Sequence, residues 1–280
     1  MLGAIIGDIV GSRFEFVEED GIRGKDFAFF TKSCRVTDDS IMTLAIAKAL
    51  FLCKGNYTNL RQHTIDCMQQ IGRAYPNVGY GYNFYHNWLM SNNPKAYNSF
   101  GNGSAMRVSP VAWVAESEEQ LKQLSLMVTD VTHNHPEGIK GAEAVAMGIY
   151  LSRIGKSKEE IRECLAEYYP ILKDKTFTIK SHYGNYGYDF AGGWVTCQGS
   201  VPQALIAFLE SENFEDAIRN AVSIGGDSDT IGAMAGSIAE AYYGVSYDME
   251  DKALEYLPED LKSIYFAFNT IKGKRRNKSE

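Results

Sequence analysis

Two stretches far apart in the chain place carboxylates and hydroxyls at the start of a helical apolar run: Thr37-Asp38-Asp39-Ser40 and Gly225-Gly226-Asp227-Ser228-Asp229-Thr230. Asp and Ser suit a helix start, where the first backbone N–H groups lack intrahelical partners. A single acid there also meets the helix dipole favourably. Capping needs one such residue, whereas each stretch carries two Asp and a Thr. If both helix starts face one point, four carboxylates converge, and a cluster that close needs protons or cations. Oxygen donors with no cysteine or histidine beside them point to Mg²⁺ or Mn²⁺ rather than Zn²⁺. Asp38 and Asp39 are consecutive on a helix and point about 100° apart. Each can serve one of two ions, with Asp227, Asp229, Thr37 and Thr230 closing the shells. Two ions so held could fix a polyhydroxyl substrate and position a water.

Other residues could complete such a site. Asp8 lies in an otherwise apolar run, and Glu15 sits between Phe14 and Phe16. A carboxylate in such company is either turned to solvent or placed for function. Residues 77–105 are rich in Gly, Asn and aromatics and are longer than the roughly 12–15 residues usual for an unstructured loop. Within them, Ser99-Phe100-Gly101-Asn102-Gly103-Ser104 could wrap a phosphate with glycine N–H groups, though it lacks the Gly-Lys-Ser/Thr of a Walker loop. His133 and His135 are two apart with no further soft ligand near, so they either hydrogen-bond a substrate or hold the turn before the next helix. The polar-aromatic run 182–190 is a pocket wall or a surface loop.

The elements that must position these groups are helical. Periodicity predicts helices over 3–12, 38–52, 59–74, about 82–91, 111–115, 118–131, 137–153, 157–168, from Ser200 with Pro202 in the first turn, from Asn213 to Ser223, 231–244, 249–256 and 258–271. Ser157-Lys158-Glu159-Glu160 is a capping box. Gly3, Gly7 and Gly11, four apart, form a stripe for close helix packing. No alternating strand pattern appears, so the expected fold class is all-α: one domain over 1–272 and a basic tail over 273–280. A formal net charge of −7 speaks against general nucleic-acid binding. No apolar run approaches the roughly 20 residues of a membrane span, and the N-terminal stretch is no secretion signal. Five cysteines without a C-x-x-C pair suit reduced thiols, so a cytoplasmic protein is expected.

Gly7-Asp8-x-x-Gly11-x-x-x-Glu15, Thr37 to Ser40, Tyr97 to Arg107, Thr132 to Pro136 and Gly225 to Thr230 occur in this order. Together they resemble the ADP-ribosylglycohydrolase family over about residues 3–244, with Ser40 where that family often has Thr. The resemblance implies an all-α domain holding a dinuclear Mg²⁺ centre, with Thr37, Asp38, Asp39, Asp227, Asp229 and Thr230 as ligands. It implies Glu15, Asp38 and Asp227 as catalytic residues, Glu15 near the anomeric carbon or its water. It implies that Ser99, Phe100, Gly101, Asn102, Gly103 and Ser104 cradle a diphosphate, with Met106, His133 and His135 as further substrate contacts. Aromatics from 80–88 or 183–190 would flank an adenine. The reaction implied is hydrolysis of the glycosidic bond at ribose C1″ of an ADP-ribosylated protein or small molecule, through an oxocarbenium-like state that carboxylates stabilise. A monomer is expected. Two other classes fit the same residues: a metal-dependent nucleotide phosphohydrolase, and a non-catalytic ADP-ribose binder.

Overall fold

Helix α11 (Ser228–Tyr243) runs through the middle of the molecule, and every residue from Ser228 to Ala241 is buried. A helix apolar on all sides needs neighbours all round. The first of them is α1 (Leu2–Gly11), itself buried along its whole length. The two approach through glycines. A Cβ on Gly3 would fall 2.1 Å from the Gly236 carbonyl oxygen, and one on Gly7 2.0 Å from that of Gly232. One on Gly11 would fall 2.4 Å from the Ser228 carbonyl oxygen and 2.5 Å from the Asp229 Cα. The stripe expected from the sequence thus seats the end of α1 on the start of α11.

The computed structural model describes residues 1–17, 24–179 and 193–273. The polar-aromatic run 182–190, including the adenine-flanking candidates 183–190, and residues 274–280 of the basic tail lie outside the described residues. Around α1 and α11 stand α2 (Asp38–Cys53), α3 (Leu60–Ala74), α4 (Gly103–Arg107), α5 (Ser109–Val114), α6 (Glu118–Thr129), α7 (Pro136–Arg153), α8 (Lys158–Tyr168), α9 (Cys197–Leu209), α10 (Phe214–Ile224), α12 (Tyr247–Leu254) and α13 (Glu259–Asn269). Among the described residues the nearest thing to a strand is one isolated antiparallel bridge, Gly101 with Thr196. The fold is all-α. None of the described helices is long and apolar enough to cross a membrane, and all five cysteines are free thiols.

Local chemistry accounts for most helix starts. Ser157 and Glu160 form the expected capping box at α8, and Asn213 accepts from the Asp216 N–H at α10. The α7 glycines and alanines let neighbours close in, Gly141 against Cys197 and Gly148 against Ile238. Several boundaries differ from expectation by a few residues, among them the start of α11 at Ser228 rather than 231. Helix α9 begins at Cys197, not Ser200, because the Thr196 side chain accepts from the Gly199 N–H, and Pro202 lies inside the helix. The expected phosphate loop ends early, since Gly103 and Ser104 already belong to α4.

Candidate metal and substrate site

Asp8 joins the two acidic helix starts. It projects from α1 onto the N-terminus of α2, where it accepts from the Thr37 N–H (3.1 Å), the Thr37 hydroxyl (2.7 Å), the Ser40 N–H (3.1 Å) and the Ser40 hydroxyl. From α11, the Thr230 hydroxyl donates to Asp39 Oδ2 at 3.1 Å. Carboxylate oxygens of Asp8, Asp39 and Asp229 all lie within 4.8 Å of one another, and so do those of Glu15, Asp227 and Asp229. Asp229 belongs to both groups. Asp227 stands at the N-cap position of α11 but makes no side-chain cap bond. Its Oδ2 instead accepts from the Asn102 side-chain amide at 2.6 Å. The Asp38 carboxylate lines the same cleft, close enough to Gly79 that a Cβ there would fall 2.9 Å from Asp38 Oδ1.

The electrostatics are those of a site awaiting positive charge. Burial, then repulsion from neighbouring carboxylates, pushes Asp38, Asp39 and Asp229 well above the usual carboxylate range. Burial also raises Asp8 and Asp227, opposed by the hydrogen bonds they accept. Among the described residues, none of these five aspartates pairs with a Lys or Arg. Asp39 Oδ1 is buried with no hydrogen-bond partner. An orphaned carboxylate oxygen among further oxygen donors fits a hard divalent cation.

The cleft above the cluster has a volume of ≈ 650 Å³. Glu15 stands at its acidic end, half-buried, with Arg35 Nη2 3.4 Å from Oε2. Burial raises the Glu15 pKa, Asp227 adds to the rise, and Arg35 opposes it. Phe16 adopts a left-handed backbone (φ 49°), donates its N–H to the Gly226 carbonyl at 2.8 Å, and stacks on Trp194 with ring centroids 6.2 Å apart. Tyr82, Phe84 and Tyr97 complete an aromatic wall.

Several expected substrate residues do line the cleft: Ser99, Phe100, Gly101, Asn102, Gly103, Met106 and His133. Others do not. The Ser104 hydroxyl donates to the Gly138 carbonyl at 2.8 Å, deep in the protein. His135 accepts from the Glu137 N–H at 3.1 Å, capping α7, and its ring packs on Phe100. Thr37, expected as a metal ligand, does not line the cleft either: its hydroxyl donates to Asp8 Oδ1 at 2.7 Å. The Gly101 N–H is taken by Ser99 Oγ and the Asn102 N–H by the Val195 carbonyl. The expected array of glycine N–H donors therefore narrows to Gly103.

Two participants had no role assigned to them from sequence. Asp8 belongs to the carboxylate cluster, and its signal was visible as the one charge in an apolar helix beside a glycine stripe. Arg107 is buried and lines the cleft, donating to the Gly103 carbonyl (2.9 Å) and to Thr132 Oγ1 (2.7 Å). Burial lowers its pKa to about 10.

An all-α domain that brings two acidic helix starts together beneath an aromatic-walled cleft has the makings of a carboxylate-dependent hydrolase. The sequence profile of the ADP-ribosylglycohydrolase family matches residues 1–267, so the chain belongs to that family and is a glycohydrolase. It is 29% identical to the ADP-ribosylarginine hydrolase Tri1 of Pseudomonas putida (strain GB-1), over 88% of this chain and 70% of that protein. It is 24% identical to ADP-ribosylhydrolase ARH3 of Gallus gallus, over 87% and 84%. To the ADP-ribosyl-[dinitrogen reductase] glycohydrolase of Rhodospirillum rubrum it is 25% identical, over 87% and 84%. A solved structure described as an ADP-ribosylglycohydrolase-related protein complex shares the fold with a TM-score of 0.64, covering 96% of each chain at 22% identity.

Proposed function

We propose that this protein hydrolyses the glycosidic bond at ribose C1″ of an ADP-ribosylated protein or small molecule, releasing ADP-ribose, with Mg²⁺ in the acidic cluster. The observation that carries the reading is the convergence of Asp39, Asp227, Asp229 and Glu15 on one cleft with Asp8 close behind Asp39 and Asp229, one buried oxygen of Asp39 lacking any partner. Asp38, Asp39, Asp227, Asp229 and Thr230 would hold two divalent cations, with Thr37 and Asp8 supporting from behind. Bound there, the cations supply the charge that neutralises the carboxylates and a Lewis acid for the ribose hydroxyls.

The remaining roles belong to the chain's own groups. Glu15 accepts a proton from the attacking water or faces the positive charge that develops at C1″. Its neighbours Asp38 and Asp227 add to the negative field at that end. Asn102 holds Asp227 in place through the 2.6 Å bond. Gly103 and His133 face the diphosphate, and Phe16, Tyr82, Phe84 and Phe100 offer flat faces to the adenine and the group beyond the ribose.

The test is to incubate the purified protein and Mg²⁺ with ADP-ribosylarginine, an ADP-ribosylserine peptide and an ADP-ribosylated nucleic-acid base, and to identify products by mass. Release of ADP-ribose from at least one is expected. Release of phosphate or AMP instead assigns a nucleotide phosphohydrolase, and tight binding without any product assigns a binder.

A further inference from the structure

We propose that Arg107 and Thr132 are positioning residues that fix His133 in the tautomer carrying its proton on Nε2, which turns that N–H toward the cleft as a donor. Arg107 Nη2 lies 2.7 Å from Thr132 Oγ1. A guanidinium can only donate, so Thr132 accepts there. The single hydroxyl proton of Thr132 then has two acceptors to choose from: His133 Nδ1 at 2.6 Å and the Thr129 carbonyl at 3.4 Å. The second distance exceeds the usual 2.5–3.0 Å for a hydroxyl donor. Were Nδ1 protonated instead, Oγ1 would accept from the guanidinium and the imidazole together, and its own proton would be left with the long contact. The hydroxyl therefore donates to Nδ1.

His133 is buried, and that burial, reinforced by the Arg107 charge, keeps its pKa well below 6.5 and its ring neutral. A neutral imidazole that accepts at Nδ1 holds its proton on Nε2. That nitrogen lies against the glycine loop. A Cβ on Gly103 would come within 3.4 Å of it and one on Gly101 within 3.6 Å. Both glycines line the cleft, and having no side chains they leave the donor uncovered. A neutral N–H at that place suits an anionic oxygen. With the other tautomer a lone pair would face the same oxygen and repel it. Thr132 acts through His133 and touches no substrate, and Arg107 sets which way Thr132 points.

The tautomer is a property of the free protein, while its value to a substrate rests on the proposed reading of the cleft. The full-length protein is labelled with ¹⁵N-histidine, and ring nitrogens are read by long-range ¹H–¹⁵N correlation near neutral pH. The His133 signals are assigned by their loss in His133→Asn. The wild type should show a single Nε2–H tautomer. Thr132→Val, equal in shape but without the hydroxyl, should give a mixed or inverted tautomer and weaken ADP-ribose by about three- to tenfold, the usual value of one hydrogen bond. Thr132→Ser should restore both. An Nδ1–H tautomer in the wild type, or an unchanged Nε2–H tautomer in Thr132→Val, overturns the proposal. The wild-type spectrum decides even if the valine variant does not fold. The expected tautomer in a wild type that fails to bind ADP-ribose would instead overturn the reading of the cleft and leave the relay standing.

Discussion

The Thr230 hydroxyl donates to Asp39 Oδ2 at 3.1 Å, across 191 positions of sequence. The bond ties the first turn of α11 to the first turn of α2, so each acidic helix start is completed by the other. Their alignment depends on α1, which touches both: Gly11 lies on the Asp229 backbone, and Asp8 grips the N-terminus of α2.

Removing divalent metal should abolish hydrolysis and make stability fall with rising pH. Asp38, Asp39 and Asp229 have folded-state pKa values raised above those of an unfolded chain. Stability from such groups is full below the unfolded value and is lost as pH climbs through the folded values. In chelator, the melting temperature should therefore drop as pH rises above the unfolded carboxylate value of about 4, where the unfolded chain has released the protons that the native cluster keeps. Added Mg²⁺ should raise it by mass action, most at the upper end. Calorimetry across pH with and without Mg²⁺ checks this, and a metal increment that shrinks with pH would contradict it.

Asp8→Asn should weaken metal binding more than it weakens the fold. The variant keeps shape and most acceptors, but it removes charge from the cluster and reverses one partner of Thr37. Losses behind metal ligands typically cost about 10–100-fold in affinity. Titrating Mn²⁺ by calorimetry against wild type measures it, and unchanged affinity would confine Asp8 to capping α2.

Gly7→Ala should destabilise the protein despite alanine's better helix propensity. The added Cβ would lie 2.0 Å from the Gly232 carbonyl oxygen, and the atoms nearest to it are all backbone. Forcing α1 and α11 apart should cost about 1–3 kcal/mol, the usual range for overpacking. Thermal denaturation reads the loss directly. Activity should fall as well, since Asp8 and Asp229 move with the two helices.

Glu15→Gln should lower kcat by about 10²–10⁴, as loss of a general base does, with the Kd for ADP-ribose changed little. That split marks an interaction made chiefly in the transition state. The ion pair lost is a 3.4 Å contact to an exposed Arg35, so stability should move by less than about 1 kcal/mol. A near-normal kcat in folded, metal-loaded protein would remove Glu15 from the catalytic set.

Helix identity was legible from the chain because a helix closes its hydrogen bonds within a few residues and shows its buried stripe as a period. The box at Ser157, the cap at Asn213 and the glycine stripe of α1 all follow from that locality. The acidic helix starts were legible too, since two Asp and a Thr exceed what a cap uses. Sequence did not show which of those groups cap and which face the cleft. Asp227 stands at a cap position yet serves Asn102, whereas His135 caps α7 while His133, two residues earlier, turns to the cleft. Nor did it show that Thr196 starts α9 ahead of the proline-bearing turn. Those choices were made by burial and by contacts between helices far apart in the chain. The α1–α11 glycine contact sets where Asp8 and Asp229 meet, and a side chain's local sequence carries no record of what will be packed against it.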